Sequence, residues 1–422
     1  MRILVFPHDF GIGGSQLNAV EIAATLRDQG HECVIFGNPG QLNGRISELG
    51  LEYIEAPRPR VRPTPSIVKA LVQIIDERDI QILHGFEWPP SLECAIASHL
   101  RPATRHVSTV MSMSVAPFIP RTTPLIVGTE AIAHHERESG RSIVTVQEPP
   151  VDLDHNSLGA VGSTDAFFER WNLSHQAFTV AVVSRLAPEL KLEGILAAIK
   201  ALPLLGSNQP VQLVIVGDGP SEPEVRAAIE SAGLGATPHR VVMTGSLNDP
   251  REAYAAADVV LGMGGSALRA MAFEKPLIVQ GENGYWKLLT SRSLPDFRWH
   301  GWYGRGDSLH AGPERLAKIL DQLIADAVLR ERLGQFSLET VLEHYSLERA
   351  AQIQLEAYEA ALNSSPQRAN ERLHGLASLY KLANYEFRRR WSNLRGRTIK
   401  DDDFNASPIV TERPQVHRVG AE

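Results

Sequence analysis

Arg185 and Lys191, in the stretch VVSRLAPELK, follow an apolar run from Phe178 to Val183 that reads as a β-strand. Two cations fixed just past a strand end can neutralise a diphosphate, because a guanidinium grips phosphate oxygens in pairs and an ammonium adds a compact charge. A solvated pair at a helix start is the alternative reading of the same residues. Two glycine clusters point to the same chemistry. Gly262, Gly264 and Gly265 end a second run, Val259 to Leu261, and Ser266 can cap the following helix, so free amides face an anion. Gly11, Gly13 and Gly14, with Ser15 at an N-cap position, repeat the arrangement after the first strand, although a tight turn without ligand fits that loop equally. The spacing is not GxGxxG and no acid is placed for a ribose contact, which weakens a dehydrogenase reading.

The segment LHGFEWPP adds His84 and Glu87 after the fourth strand. Either could orient an acceptor hydroxyl, and Trp88 could stack on a sugar or apolar face. A satisfied histidine at a strand end is the alternative for His84. His134 and His135 read as surface residues of a helix, since no ligand spacing for a metal accompanies them.

These groups depend on elements that hold them at strand ends. Short apolar runs at Ile3–Phe6, Cys33–Phe36, Tyr53–Ile54, Ile80–Leu83, His106–Val110 and Leu125–Val127 alternate with helical patterns, the mark of a parallel sheet covered on both faces. The helix expected over Gln16–Arg27 is apolar on much of its surface and ends at Gly30. After a linker at about Glu148–Gly162, the pattern restarts with Phe178–Val183, Val211–Val216, Arg240–Met243, Val259–Leu261 and Leu277–Val279. The expected fold class is therefore α/β, two Rossmann-like domains facing across a cleft, with ligands at the carboxyl ends of the strands. The expected division is 1–155 and 156–335, then C-terminal helices at 336–363 crossing back to the first domain, then 364–422. In that last part, Gln367–Lys400 holds nine Lys or Arg against two Glu, with Leu373, Leu376, Tyr380, Ala383, Phe387, Trp391 and Leu394 at helical spacing. This basic amphipathic segment would meet an anionic membrane surface or an acidic partner, or wrap on the body with its charges solvated. From about Asp401 the chain reads as disordered.

Composition sets the outer bounds. With 422 residues, 43% hydrophobic and 22% charged, the chain suits two soluble domains. A net charge of −7 argues against a nucleic-acid binder. The two cysteines, Cys33 and Cys94, show no disulfide or zinc spacing and fit a reducing cytoplasm. The N-terminus lacks the long apolar region of a signal peptide, and no run spans a bilayer.

The pieces FPHDFGIGGSQLNAVEIA, EPPVD, VVSRLAPELK, LVIVGDGP, VVMTGSLND and GSALRAMAFEKPLIV, in this order, resemble a family 4 glycosyltransferase of the GT-B fold over about residues 1–360. The resemblance implies a nucleoside diphosphate sugar held mostly by the C-terminal half and an acceptor held mostly by the N-terminal half. It implies that Arg185 and Lys191 bind the donor diphosphate, with His84 and Glu87 as the further candidates for catalysis. Gly13, Gly14, Gly217, Gly245, Gly264, Gly265, Ser266, Ala267 and Arg269 are then the donor-side residues. The chain departs from the family pattern at its paired acids, where Leu261 and Arg269 stand instead. An arginine has only donors and cannot accept from ribose hydroxyls. Met111, in VSTVMS, stands where the family often has a histidine. The expected activity is sugar transfer with retention of configuration, without metal or cofactor beyond the sugar nucleotide, in the cytoplasm and at most peripheral at the inner membrane face. The alternative is a GT-B-shaped nucleotide-sugar-binding or partner subunit without transfer activity.

Overall fold

The computed structural model describes residues 1–11, 13–59, 62–364 and 368–394. The expected irregular end from Asp401 and the two extremes of the basic segment, Gln367 and 395–400, lie outside them. The chain forms two compact units. Met1–Pro149 joins the helices from Leu347 onward in the first, and Pro150–Ser346 makes the second. The division falls at Pro149 because the Val151 amide donates to the Tyr345 carbonyl at 2.8 Å, tying the start of the second unit to its end. The stretch 336–363 is shared between them. The helix Ala327–His344 belongs to the second unit, and the helix Leu347–Asn363 buries Ala350, Ala351, Ala357, Tyr358 and Ala361 in the core of the first.

In the first unit seven parallel strands, β1 (Arg2–Phe6), β2 (Glu32–Gly37), β3 (Glu52–Glu55), β4 (Ile82–Phe86), β5 (Arg105–Val110), β6 (Leu125–Val127) and β7 (Val144–Val146), lie in the order β3-β2-β1-β4-β5-β6-β7. Strand order reverses direction between β1 and β4, which is where an open α/β sheet leaves a crevice at its carboxyl edge. The helix Gly14–Asp28 starts there; its Ala19, Val20, Ile22, Ala23 and Leu26 are all nearly inaccessible.

The second unit repeats the plan with β8 (Phe178–Val183), β9 (Val211–Val216), β10 (Arg240–Gly245), β11 (Val259–Gly262), β12 (Leu277–Gln280) and β13 (Trp286–Leu288), in the order β10-β9-β8-β11-β12-β13. All pairings are parallel except β12 with β13. The reversal lies between β8 and β11, whose register sets Leu261 beside Val182. Near-continuous apolar runs form these strands because helices cover both faces. β7 and β13 are additions to the expected set.

Candidate functional site

The register of β8 and β11 brings Arg185 and the Gly264 turn to the same edge of the sheet, at adjacent strand ends. Beyond β8, Arg185 is exposed and its guanidinium has no partner among the described residues. Lys191, half-buried, is the N-cap residue of the helix Leu192–Ala201. Burial pushes its ammonium down to about 8, and among the described residues no carboxylate stands near enough to restore it. A half-buried cation without a counter-ion is poised for an anionic ligand, which would supply the missing charge.

Beyond β11, Gly264 takes φ 53° and ψ −132° as the N-cap of the helix Gly265–Ala272. That backbone region is open to glycine alone. Of the donor-side residues Gly264 to Ala267, two have amides already bonded within the protein. Gly264 N–H donates to the Trp302 carbonyl and Ala267 N–H to the Gly264 carbonyl, each at 3.0 Å. The Gly265 and Ser266 amides have no protein acceptor among the described residues. Gly264, not Ser266, is the cap; the Ser266 hydroxyl instead donates to the Met263 carbonyl at 3.0 Å and accepts from its amide at 3.2 Å, closing the turn. Arg269 folds back over this turn, its Nη1 3.9 Å from where a Cβ on Gly265 would stand. A third cation therefore sits at a helix N-terminus that already favours an anion. Leu261, by contrast, is 1% exposed in the core, so this position in β11 offers nothing to a ligand.

Gly217 also changes role. A Cβ there would meet the Ser184 carbonyl oxygen at 2.0 Å, at φ 137°, so the glycine lets the loop after β9 lie against the loop after β8. The Leu186 amide donates to the Asp218 carbonyl at 2.8 Å and the Ser221 amide to the Leu186 carbonyl at 3.0 Å. These bonds fix the backbone that carries Arg185, and Gly217 acts through it. The Gly245 carbonyl accepts from the Gly217 amide at 2.9 Å, and a Cβ on Gly245 would meet open space. Glu193 accepts from the amides of Gly284 at 2.7 Å and Asn283 at 3.1 Å, holding the loop after β12 to the Lys191 helix.

At the carboxyl edge of the first sheet, the sequence reading is corrected more strongly. His84 lies wholly inside the core, with Nδ1 2.6 Å from the Tyr358 hydroxyl and Nε2 2.6 Å from Thr109 Oγ1. Tyr358 donates to Gln354 Oε1 at 2.8 Å, so it accepts from His84 Nδ1–H, and His84 Nε2 accepts from Thr109. Burial pushes His84 down to about 3, and the ring stays neutral. It cannot reach an acceptor. Trp88 is likewise occupied, edge-on to Phe118 with ring centroids 5.2 Å apart. Glu87 accepts from Ser15 Oγ at 3.1 Å, Met111 N–H at 2.9 Å and Ser112 Oγ at 2.9 Å. It holds the loop after β5 to the first turn of the helix Gly14–Asp28, at φ 64°, a strained value for a side-chain-bearing residue. Ser15 therefore lies inside that helix, capped by Gly13, and serves Glu87.

What the edge does present is a pair absent from the expectations. His8 Nε2 lies 2.8 Å from Asp9 Oδ2, and Gln16 Nε2 donates to Asp9 Oδ1 at 3.0 Å. Burial works against the His8 charge, but the bond to Asp9 and the field of Glu87 outweigh it and raise the imidazole above its usual range. Asp9 is held down at about 2, first by His8. His8 Nδ1 is buried without a hydrogen-bond partner. A Cβ on Gly13 would strike Gln16 Oε1 at 2.3 Å and disturb this pair, whereas a Cβ on Gly14 would meet nothing within 4 Å. The available signal was position: a polar HD pair directly after the first strand. His134 lies 3.4 Å from Glu138 Oε2 and His135 is exposed. Among the described residues no group of three or more His, Cys, Asp or Glu could hold a metal.

Comparison with known proteins bears on the fold. Residues 177–289 match the family model described as Glycosyl transferases group 1. A 194-residue segment is 29% identical to the alpha-D-kanosaminyltransferase of Streptomyces kanamyceticus, covering 43% of this chain and 45% of that relative, so the match spans less than half of its length. Among solved structures, a glycosyltransferase from Rickettsia africae ESF-5 is similar with a TM-score of 0.70 at 16% identity, over 86% of this chain and 99% of the other. The Anabaena protein Alr3699/HepE, in complex with UDP, is similar with a TM-score of 0.67 at 18% identity, over 85% and 100%. The fold of the chain is thus the GT-B glycosyltransferase fold.

Proposed function

We propose that this chain, with its GT-B fold and its group 1 glycosyl transferase segment, moves a sugar from a nucleoside diphosphate sugar to an acceptor hydroxyl with retention of configuration. The observation that carries the reading is the counter-ion deficit at the β8/β11 edge: Arg185, Lys191 and Arg269 beside the open amides of Gly265 and Ser266. These groups stabilise the charge that grows on the departing diphosphate, where preorganised donors act most strongly. As the bond from the anomeric carbon to the phosphate oxygen breaks, the acceptor oxygen bonds on the same face and its proton passes to that phosphate oxygen. On the first unit, His8, whose charge Asp9 sustains, is the group assigned to binding an acceptor. The UDP complexes of the Anabaena neighbour support a uridine nucleotide as the first donor to try. No cofactor beyond the sugar nucleotide enters this scheme. Free, buried Cys33 and Cys94 support a reducing cytoplasmic setting.

The test is turnover of a panel of nucleoside diphosphate sugars by the purified chain. Arg185→Ala is expected to lower transfer about 100-fold or more, with an unchanged melting temperature because the side chain is exposed. Unchanged turnover would sink the assignment. Arg269, which cannot serve a ribose as an acid does, supports the second reading of a binding subunit; nucleotide binding without transfer to any acceptor would favour it.

A further inference from the structure

Among the described side chains of the helix Arg368–Leu394, those of one face pack on the first unit and those of the opposite face are exposed. Leu382, 4% exposed, and Tyr385 pack with Trp88, Leu92 and Phe118, the Tyr385 ring 5.2 Å from that of Phe118. With 3.6 residues per turn, the opposite face carries Tyr380, Asn384, Phe387 and Trp391. Exposure is large there: 75% at Tyr380, 64% at Phe387 and 51% at Trp391. Phe387 and Trp391 stack with ring centroids 6.0 Å apart, and Tyr380 stands two turns before Phe387 on the same face, with Asn384 between them. Cations flank it. Lys381 and Arg388 lie on one side and Arg390 on the other, all exposed and without an acidic partner among the described residues. Between Gly375 and Trp391 the only acid is Glu386, which lies off the stripe and 3.9 Å from Arg389.

Aromatic rings with basic flanks match the boundary between lipid headgroups and acyl chains, where rings enter and cations meet phosphates. Pairing this stripe with its copy on a second chain would set like charges face to face. The chain as a whole carries a net charge of −7, so attraction to an anionic surface has to be local, as it is here. We infer that this helix seats the chain on an anionic membrane surface, its aromatic stripe in the headgroup layer and Lys381, Arg388 and Arg390 against lipid phosphates. No helix among the described residues is long and apolar enough to cross a membrane. The inference stands apart from the transferase reading and survives its failure.

The full chain is to be sedimented with phosphatidylcholine vesicles with and without phosphatidylglycerol. It is expected to pellet with the anionic vesicles only, and less as salt is added. Arg388→Glu with Arg390→Glu should weaken partitioning by more than tenfold, at about fivefold per basic residue. Tyr380→Ser, Phe387→Ser and Trp391→Ser together should abolish it, with an unchanged melting temperature because the stripe is exposed. Failure of the unaltered chain to pellet, equal pelleting on neutral vesicles, or variants that pellet as it does would each overturn the inference. So would light scattering in which the aromatic variant turns a dimer into a monomer without altering vesicle binding, since the stripe would then belong to a second copy.

Discussion

Lys191 ties a structural oddity to a measurable proton. Its folded value of about 8 lies below the ordinary 10.5, so the charged form is penalised in the folded chain. That penalty is complete below about pH 8 and fades as pH rises toward 10.5. A bound diphosphate reverses it by restoring the charge. Binding of UDP at pH 8.5 is therefore expected to take up most of a proton, and affinity should fall as pH climbs through 8. Titration calorimetry in buffers of different ionisation heat reads this directly. Lys191→Met should bind more weakly and take up none; proton-neutral binding by the unaltered chain would contradict the assignment. The position of Arg185 and Lys191 just past a strand end was legible in the sequence, because they follow an apolar run. His84 was misread because β4 is buried on both faces, where alternation does not tell which side chains reach the edge; for Glu87, which follows β4, the sequence does not show that Ser15, Met111 and Ser112 converge on it. Sequence shows that His84 ends a strand, not that Tyr358, 274 residues away, closes over it.

At the scale of elements, the strand ends are kept in place by backbone contacts that leave no room for side chains. Gly217→Ala would put a Cβ 2.0 Å from the Ser184 oxygen and force a φ of 137° on alanine. The expected cost is about 3 kcal/mol or more, read as an earlier chemical unfolding midpoint of the second unit. If the loop after β8 is what places Arg185, the folded fraction of this variant should also bind UDP more weakly. The expected strands of both sheets are in the structure because parallel, doubly covered strands leave long apolar runs. β7, Val-Thr-Val, and β13, Trp-Lys-Leu, are edge strands of three residues each, too short and too mixed to stand out. The break between the helices Ala327–His344 and Leu347–Asn363 had one local signal, Ser346, an N-cap residue type directly before the second helix; that Tyr345 enters the second core is not visible in the sequence.

At the scale of the whole molecule, the second unit is one continuous segment, whereas the first is built from both sides of it. A chain ending at Ser346 keeps every strand of both sheets yet loses the helix that covers β5 and the helix Gly14–Asp28. Calorimetry of that truncation is expected to retain the transition of the second unit and lose that of the first, because His84 is left without Tyr358 and a buried apolar face is opened. Two intact transitions would show that the Leu347–Asn363 helix is dispensable. The same arrangement, with Tyr358 closing on His84 from the far end of the chain, orders events on the ribosome. The N-terminal sheet emerges first but waits for its last helix until after the entire second unit has left the exit tunnel. The usual sequence of vectorial folding, first-made domain first, is thereby inverted: the diphosphate-side unit can be complete while the unit begun before it still has an uncovered flank for a chaperone to hold.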